Sequence, residues 1–289
     1  MLRLLFSVIS IPYPACFCNA FPGKFDTSPR LCYSFFKGND MRGGLSVRRW
    51  SKRKRRRMLG WALVLLTAAL LPLFIRALRA SLAEKQTPEA LLASPLTFDD
   101  LPPFDGALTV ELDTYSLVPD ALPPEPTLLL SELDALGRTG PALAVVGPET
   151  LCYEPRGRLG DILPAGFQNV RYDDLIEDHY LYNRCHLIAY QLCGVNAEAR
   201  LLFTGTRALN VDGMLPVENA LASFVRRTGQ HLVYRAVPIY SGSELVPRGV
   251  ELEAVSMEDG GEGLRLHVIV WNVQPGIVID YRDGSSRRE

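Results

Sequence analysis

Three stretches near the C-terminus alternate apolar and polar residues with a period of two: Leu232–Tyr240, Val250–Ser256 and Leu264–Trp271. That period puts successive side chains on opposite faces of an extended strand, so each stretch predicts a β-strand with one apolar face. Asp259-Gly-Gly-Glu-Gly263 between the second and third has the composition of a tight connection, which only antiparallel neighbours can use. Ile277–Tyr281 reads as a last short strand, and Leu108–Leu112 and Ala142–Gly147 as earlier ones. One helix precedes the C-terminal strands. Met214, Val217, Leu221, Phe224 and Val225 fall on one helical face, Gly213 and Pro216 place the first turn, and Gly229 closes it. An antiparallel sheet carrying a packed helix is an α+β domain.

The rest of the chain is organised by charge. Before residue 84 there are 15 Lys/Arg against 2 Asp/Glu; from Glu84 onward there are 16 against 30, a net of −14. The basic head contains Lys52-Arg-Lys-Arg-Arg-Arg57, followed by Leu59–Ile75 without a charge. An apolar run of that length is the short end of a membrane span, and the positive flank keeps its side cytoplasmic. The expected organisation is a basic cytoplasmic segment (1–57), a transmembrane anchor or signal (58–76), a linker (77–105) and an exported domain (106–289). A cleaved signal peptide is the competing reading, and Ala77-Leu-Arg-Ala80 weakly resembles a cleavage site. Residues 1–40 have no clear period, and Met41 and Met58 are both plausible starts, so this segment is read as upstream sequence. The body holds Cys152, Cys185 and Cys193, an odd number that does not build a disulfide framework.

Chemistry concentrates in Tyr180–Tyr190. Read as a strand, this segment puts Arg184 and His186 on one face and Asn183 and Cys185 on the other. A cation beside an imidazole disfavours the imidazolium, which leaves the ring able to accept a proton. A surface or core histidine beside a solvated arginine is the plain alternative. A second cluster is Thr204-Gly-Thr-Arg-Ala-Leu-Asn210 with Glu218 on the helix. Glu218 borders the apolar helix face, where a carboxylate is costly unless paired or used; a first-turn Glu favoured by the helix dipole is the plain reading. An amide oxygen and a carboxylate are hard ligands of the kind Mg²⁺ accepts. His179, His231 and His267 read as surface or sheet residues, and Trp271 as core.

The order His186, Asn210, Glu218 resembles the DNA/RNA non-specific endonucleases of the ββα-metal fold. Their signature is Asp-Arg-Gly-His on a strand, then a metal-binding Asn and a helical Glu; Asn183-Arg-Cys-His186 stands where that tetrapeptide would. The similarity is closest to membrane-anchored nucleases of streptococci and other Gram-positive bacteria. It continues through Gly205–Asn210, Tyr234–Pro238, Leu245–Pro247, Glu253-Ala254, Asn272–Gly276 and Asp280-Tyr281, about residues 130 to 286. The resemblance implies metal-dependent hydrolysis of DNA or RNA outside the cell, without sequence preference. His186 would be the general base, Asn210 the ligand of Mg²⁺ (or Mn²⁺), Glu218 the holder of the ion's waters and Arg184 the transition-state cation. Arg207 would be a lesser candidate for phosphate contact. Such a protein would be single-pass in the cell membrane, or secreted if the head is cleaved. A phosphodiesterase for smaller esters and a non-catalytic surface receptor for extracellular DNA are the alternatives. The acidic body opposes binding to a polyanion. Local compensation is expected from Arg200, Arg207, Arg226, Arg227, Arg235 and Arg248, with Asp173, Asp174, Glu177 and Asp178 turned away.

Overall fold

In a computed structural model the three alternating runs are adjacent strands of one antiparallel sheet. The structure describes residues 88–289, apart from 95, 120, 121, 123 and 124, together with residues 9–10 and positions 61, 64–68 and 70–72. The chain divides into two compact units, residues 1–16 with 83–289, and residues 17–82. In the second unit the described positions are helical. Most of the expected span 58–76 and of segment 1–57 lies outside the described residues. Among those described, no helix is long and apolar enough to cross a membrane.

In chain order the first unit contains β1 (Ile9–Ser10), α1 (Pro88–Leu92), β2 (Thr109–Glu111), β3 (Thr127–Leu130), β4 (Ala142–Val146) and β5 (Tyr182–His186). Then come α2 (Tyr190–Cys193), β6 (Leu202–Thr206), α3 (Leu215–Thr228), β7 (Leu232–Ile239), β8 (Gly249–Ser256), β9 (Arg265–Trp271), β10 (Ile277–Ile279) and β11 (Ser286–Arg288). The main sheet runs β1-β3-β4-β7-β8-β9-β2, and every neighbouring pair is antiparallel. Strands β5 and β6 form a separate two-stranded ladder that pairs Tyr182 with Thr206 and His186 with Leu202.

The inner face of the main sheet carries Ala142, Ala144, Leu232, Tyr234, Leu252, Ala254, Val268 and Val270. Leu221, Ala222, Phe224 and Val225 of α3 pack into the same cluster, as do Cys185 and Phe203 from the small ladder. Helix and ladder are thus fixed to one slab. Gly213, just before α3, is a close-approach position: a Cβ there would lie 2.2 Å from Val270 Cγ1. Helix α3 ends at Gly229, whose left-handed backbone (φ 69°) donates its N–H to Val225 O.

Alternation in β7 and β8 suggests a solvated polar face, yet both strands are buried along their whole length. The residues before β3 cover that second face. Leu91, Leu92 and Leu117 pack with Leu143, Val145, Val233 and Val255. The polar residues there are joined in a buried ion network. Arg235 Nη2 donates to Glu253 Oε2 at 2.7 Å, to Glu251 Oε1 at 3.1 Å and to Ser116 Oγ at 2.7 Å. Glu253 also accepts from the Ser116 and Leu117 amides, and Arg235 Nη1 reaches Ala93 O at 2.6 Å. Arg235 is 2% exposed, so it is removed from the arginines expected to meet nucleic acid. His267 is equally a member of this buried network, not a surface group, because Nε2 lies 3.0 Å from Glu251 Oε1 and Nδ1 lies against Thr114 O.

Candidate active site

The β5–β6 ladder, the turn after it and α3 converge on a pocket of about 260 Å³ whose walls include Arg156, His186, Tyr190, Gln191, Asn210 and Glu218. His186 is the last residue of β5. Asn210 lies in a π-helical turn, Leu209–Met214, that leads into α3 and closes with Leu215 N–H donating to Asn210 O. Such widened turns insert a residue into a helix and recur at functional sites. Glu218 follows in the first turn of α3. Three residues separated by up to 32 positions thus share one pocket.

Hydrogen bonds assign the protons of His186. Nδ1 lies 3.0 Å from Arg156 Nη2, and Nε2 lies 2.7 Å from the backbone oxygen of Asn196. A guanidinium only donates and a carbonyl only accepts. The ring must therefore carry its proton on Nε2 and present a lone pair at Nδ1. Burial, then the Arg156 charge, holds the imidazole down at about 4, against a smaller upward pull from the Asn196 carbonyl. His231 and His267 have the opposite surroundings, with acceptors at both nitrogens. Burial pulls each of them down, but their carboxylate and carbonyl partners outweigh it and both are raised. Among these three rings, His186 alone has a donor facing one nitrogen, and it alone is shifted downward, by burial and then by that donor's charge.

Glu218 is 7% exposed and forms no hydrogen bond or ion pair among the described residues. Burial pushes its carboxyl up to about 8, partly offset by the Arg156 charge. An acid held this way in a polar pocket is a functional candidate on physical grounds. With the amide of Asn210 it offers two oxygen donors of the type a hard divalent cation takes.

The expected arginines do not line the pocket. Arg184 Nη1 donates to Gly160 O at 2.9 Å and Ile162 O at 3.3 Å, so it ties down the 160–162 loop. Arg207 is ion-paired with Asp178. The cation against the imidazole is Arg156, from a loop whose glycines and prolines gave no periodic signal. Asn196 is the other residue that sequence reasoning passed over, and its contribution through a backbone oxygen leaves no mark on residue type. Cys185, in place of the signature's glycine, points into the core at 1% exposure. Burial raises its thiol well above the ordinary range, so it is no nucleophile partner for His186. Opposite Asn183 stands Gly205, where a Cβ would lie 2.5 Å from Cys185 Sγ. Asn183 Nδ2 is buried without a hydrogen-bond partner.

Two other polar sites lie elsewhere. Glu251, Glu253 and His267 approach closely enough to hold a cation, but Arg235, Ser94 and Ser116 already occupy their oxygens. A larger depression, about 490 Å³, is lined by Arg248, Asp280, Tyr281 and Arg282 among others. Arg248 and Arg282 are paired there with Glu244 and Asp280, and the depression contains no histidine.

Residues 131–258 match the family model described as DNA/RNA non-specific endonuclease. Over that segment, a little under half of its length, the chain is similar to the DNA/RNA non-specific endonucleases. His186, Asn210 and Glu218, with Arg156 and Asn196, all fall inside the matched segment. Two solved structures of NucA from Streptococcus agalactiae share the fold, one with a magnesium ion bound and one with no metal. Their TM-scores are 0.51 and 0.50 at 23% and 24% identity. Each covers 57% of this chain, and the alignments span 80% and 79% of the NucA chains. No curated protein matches the chain.

Proposed function

We propose that this protein is a metal-dependent endonuclease that hydrolyses phosphodiester bonds of DNA or RNA without sequence preference, on the ββα-metal plan, outside the cell. The observation that carries the reading is the lone pair of His186 Nδ1 in one pocket with Asn210 and a buried Glu218 that has no hydrogen-bond partner among the described residues. Export is supported by the basic hexad and the uncharged run behind it.

His186 Nδ1 takes a proton from water as the water oxygen bonds to phosphorus. The P–O3′ bond breaks in line, and the 3′ oxygen leaves to be protonated by solvent. The Asn196 carbonyl keeps the opposite ring N–H in place and favours the imidazolium that forms. Arg156 must leave Nδ1 for this to happen, and an incoming phosphate gives its guanidinium a stronger, bidentate partner. Asn210 and Glu218 fit a divalent cation, Mg²⁺ or Mn²⁺, and such an ion would supply charge neutralisation at the phosphate and the leaving oxygen. Arg184 acts on the loop it holds, and Arg207 is a candidate for phosphate contact only after release from Asp178. With contacts confined to the backbone, little base sequence would be read.

The test is degradation of closed circular plasmid and of RNA by the purified protein with Mg²⁺, with EDTA, and as His186→Ala. Metal-dependent nicking, reduced at least about 100-fold in the variant, is expected. Folded protein that binds DNA but cleaves neither polymer with Mg²⁺ or Mn²⁺ would replace this reading with that of a DNA receptor.

A further inference from the structure

We propose that Asn196 is a positioning residue that sets both sides of His186, its backbone fixing the ring's tautomer and its side chain delivering Arg156 to the opposite nitrogen. The proposal rests on the nuclease reading above and adds a residue to it. Asn196 lies after α2, in the loop between Gly194, which ends α2 in the left-handed conformation (φ 67°), and the 3-10 turn Ala199–Leu201. The preceding Val195 packs against the main core and anchors the loop.

Three contacts radiate from this residue besides its own chain bonds. The backbone oxygen accepts from His186 Nε2–H at 2.7 Å. The side-chain Oδ1 accepts from Arg156 Nε at 3.1 Å. The side-chain Nδ2 donates to Arg158 O at 3.1 Å. Arg156 Nη2 then returns to His186 Nδ1 at 3.0 Å, which closes a ring of contacts through Asn196, His186 and Arg156. The amide holds segment 156–158 at two points, a side chain and a main-chain carbonyl. Gly157 lies between them, where a Cβ would sit 3.4 Å from Asn196 Nδ2.

Few side chains meet this requirement. One atom must accept from a guanidinium while its geminal partner donates to a carbonyl. Aspartate lacks the donor, serine is too short to span both points, and glutamine is one methylene too long. The geometry also defines a motion. Arg156 is held through Nε, so its Nη atoms turn about a fixed point when they leave Nδ1 for a phosphate oxygen. Asn196 thereby sets how far the phosphate stands from the base. A small error in that distance costs rate more than affinity, since misplacement by about 1 Å can cost about 100-fold.

The experiment is a double-mutant cycle on plasmid cleavage by the full chain: wild type, Asn196→Ala, Arg156→Ala and the double variant. Asn196→Ala is expected to lower kcat about 10- to 100-fold with little change in KM. In the Arg156→Ala background the same substitution should change kcat by less than about 2-fold, because a residue acting through another loses its effect when that residue is gone. An equal loss in both backgrounds, or wild-type kcat in Asn196→Ala, would overturn the proposal. Asn196→Ser replaces the alanine variant if circular dichroism shows that the latter is unfolded. Histidine side-chain ¹⁵N spectra provide a readout independent of cleavage. Asn196→Ala and Arg156→Ala should each move the His186 Nδ1 resonance toward that of a non-hydrogen-bonded nitrogen while Nε2 stays protonated. An unmoved Nδ1 in Asn196→Ala would refute the positioning role even if the chain cleaves nothing, whereas inactivity with the expected spectra would refute only the nuclease reading.

Discussion

Replacing Glu218 by glutamine should make the metal-free protein more stable and leave it inactive. Burial raises this carboxyl from 4.5 to about 8, so the folded state binds a proton that the unfolded chain has released. The sign follows from linkage. Below about pH 4.5 both states are protonated and the residue costs nothing by this route. Between 4.5 and about 8 the cost grows by about 1.36 kcal/mol per pH unit. Above about 8 it is constant. At pH 7 this amounts to roughly 3 kcal/mol, and at pH 8.5 to roughly 5 kcal/mol. Glutamine has the shape of the neutral acid and shares its lack of a protein partner, so the difference between the two proteins is the proton term alone. Urea unfolding in EDTA should therefore show Glu218→Gln equal to wild type at pH 4.5 and increasingly more stable at pH 7 and 8.5. Mg²⁺ or Mn²⁺ should narrow the gap by stabilising wild type only. A variant no more stable than wild type at pH 8.5 would show that Glu218 does not bear the desolvation cost on which its role was argued.

Two further outcomes concern the segment that covers the back of the sheet. His267 is raised above its ordinary value by Glu251 and the Thr114 carbonyl, against the downward pull of burial. Its contribution is present in full below the unfolded value of 6.5 and is lost as pH rises through the higher folded value. Protection factors at residues 91–94 and 114–117, exchange rates corrected for base catalysis, should fall above pH 6.5, and His267→Gln should remove that fall; protection constant with pH in wild type would refute it. Arg235→Met leaves Glu251 and Glu253 buried without their cation, and a loss of about 3–5 kcal/mol is expected in urea unfolding; a loss under about 1 kcal/mol would mean that the segment is held by its leucines.

Among the strands legible in the sequence, β7, β8 and β9 lie within a residue or two of the alternating runs, β2, β4, β5 and β10 fall inside the shorter stretches read as strands, and α3 starts and stops near its Pro216 and Gly229 signals. Thr127–Leu130 is four residues long and follows directly on a proline-bearing stretch, so it offers no period and little length to read, whereas the longer apolar run Ala142–Gly147 could be recognised as a buried strand. The polar face of β7 and β8 misled for another reason. Arg235, Glu251 and Glu253 have the composition of a solvated face, and only the long-range return of residues 88–117 turns them into a buried network. At the candidate site, His186, Asn210 and Glu218 could be found because the proposed chemistry uses side chains of those types at a recognisable spacing. Arg156 and Asn196 could not. One comes from an irregular loop 30 residues before His186, and the other meets His186 through its backbone, which every residue type possesses.

The acidic body makes its remaining cations informative. Of the six arginines expected to offset its charge, Arg235 is buried, while Arg200, Arg207 and Arg248 are paired with Glu198 and Glu132, Asp178, and Glu244. Several acidic residues are likewise occupied, Asp173 by Arg171 and Asp174 by Arg288. Each such pair removes one cation with one anion and leaves the net charge as it was, so an approaching phosphate depends on the cations that stand unpaired near the pocket. Arg156 differs from these arginines in that its guanidinium is held by neutral acceptors, an amide oxygen and an imidazole nitrogen. It keeps its full charge for an anion and loses no ion pair in turning to one. On the proposed reading, a pocket built this way concentrates its attraction at one phosphate beside His186. On the same reading, that locality lets a chain with a strongly acidic body engage a polyanion while ignoring its base sequence.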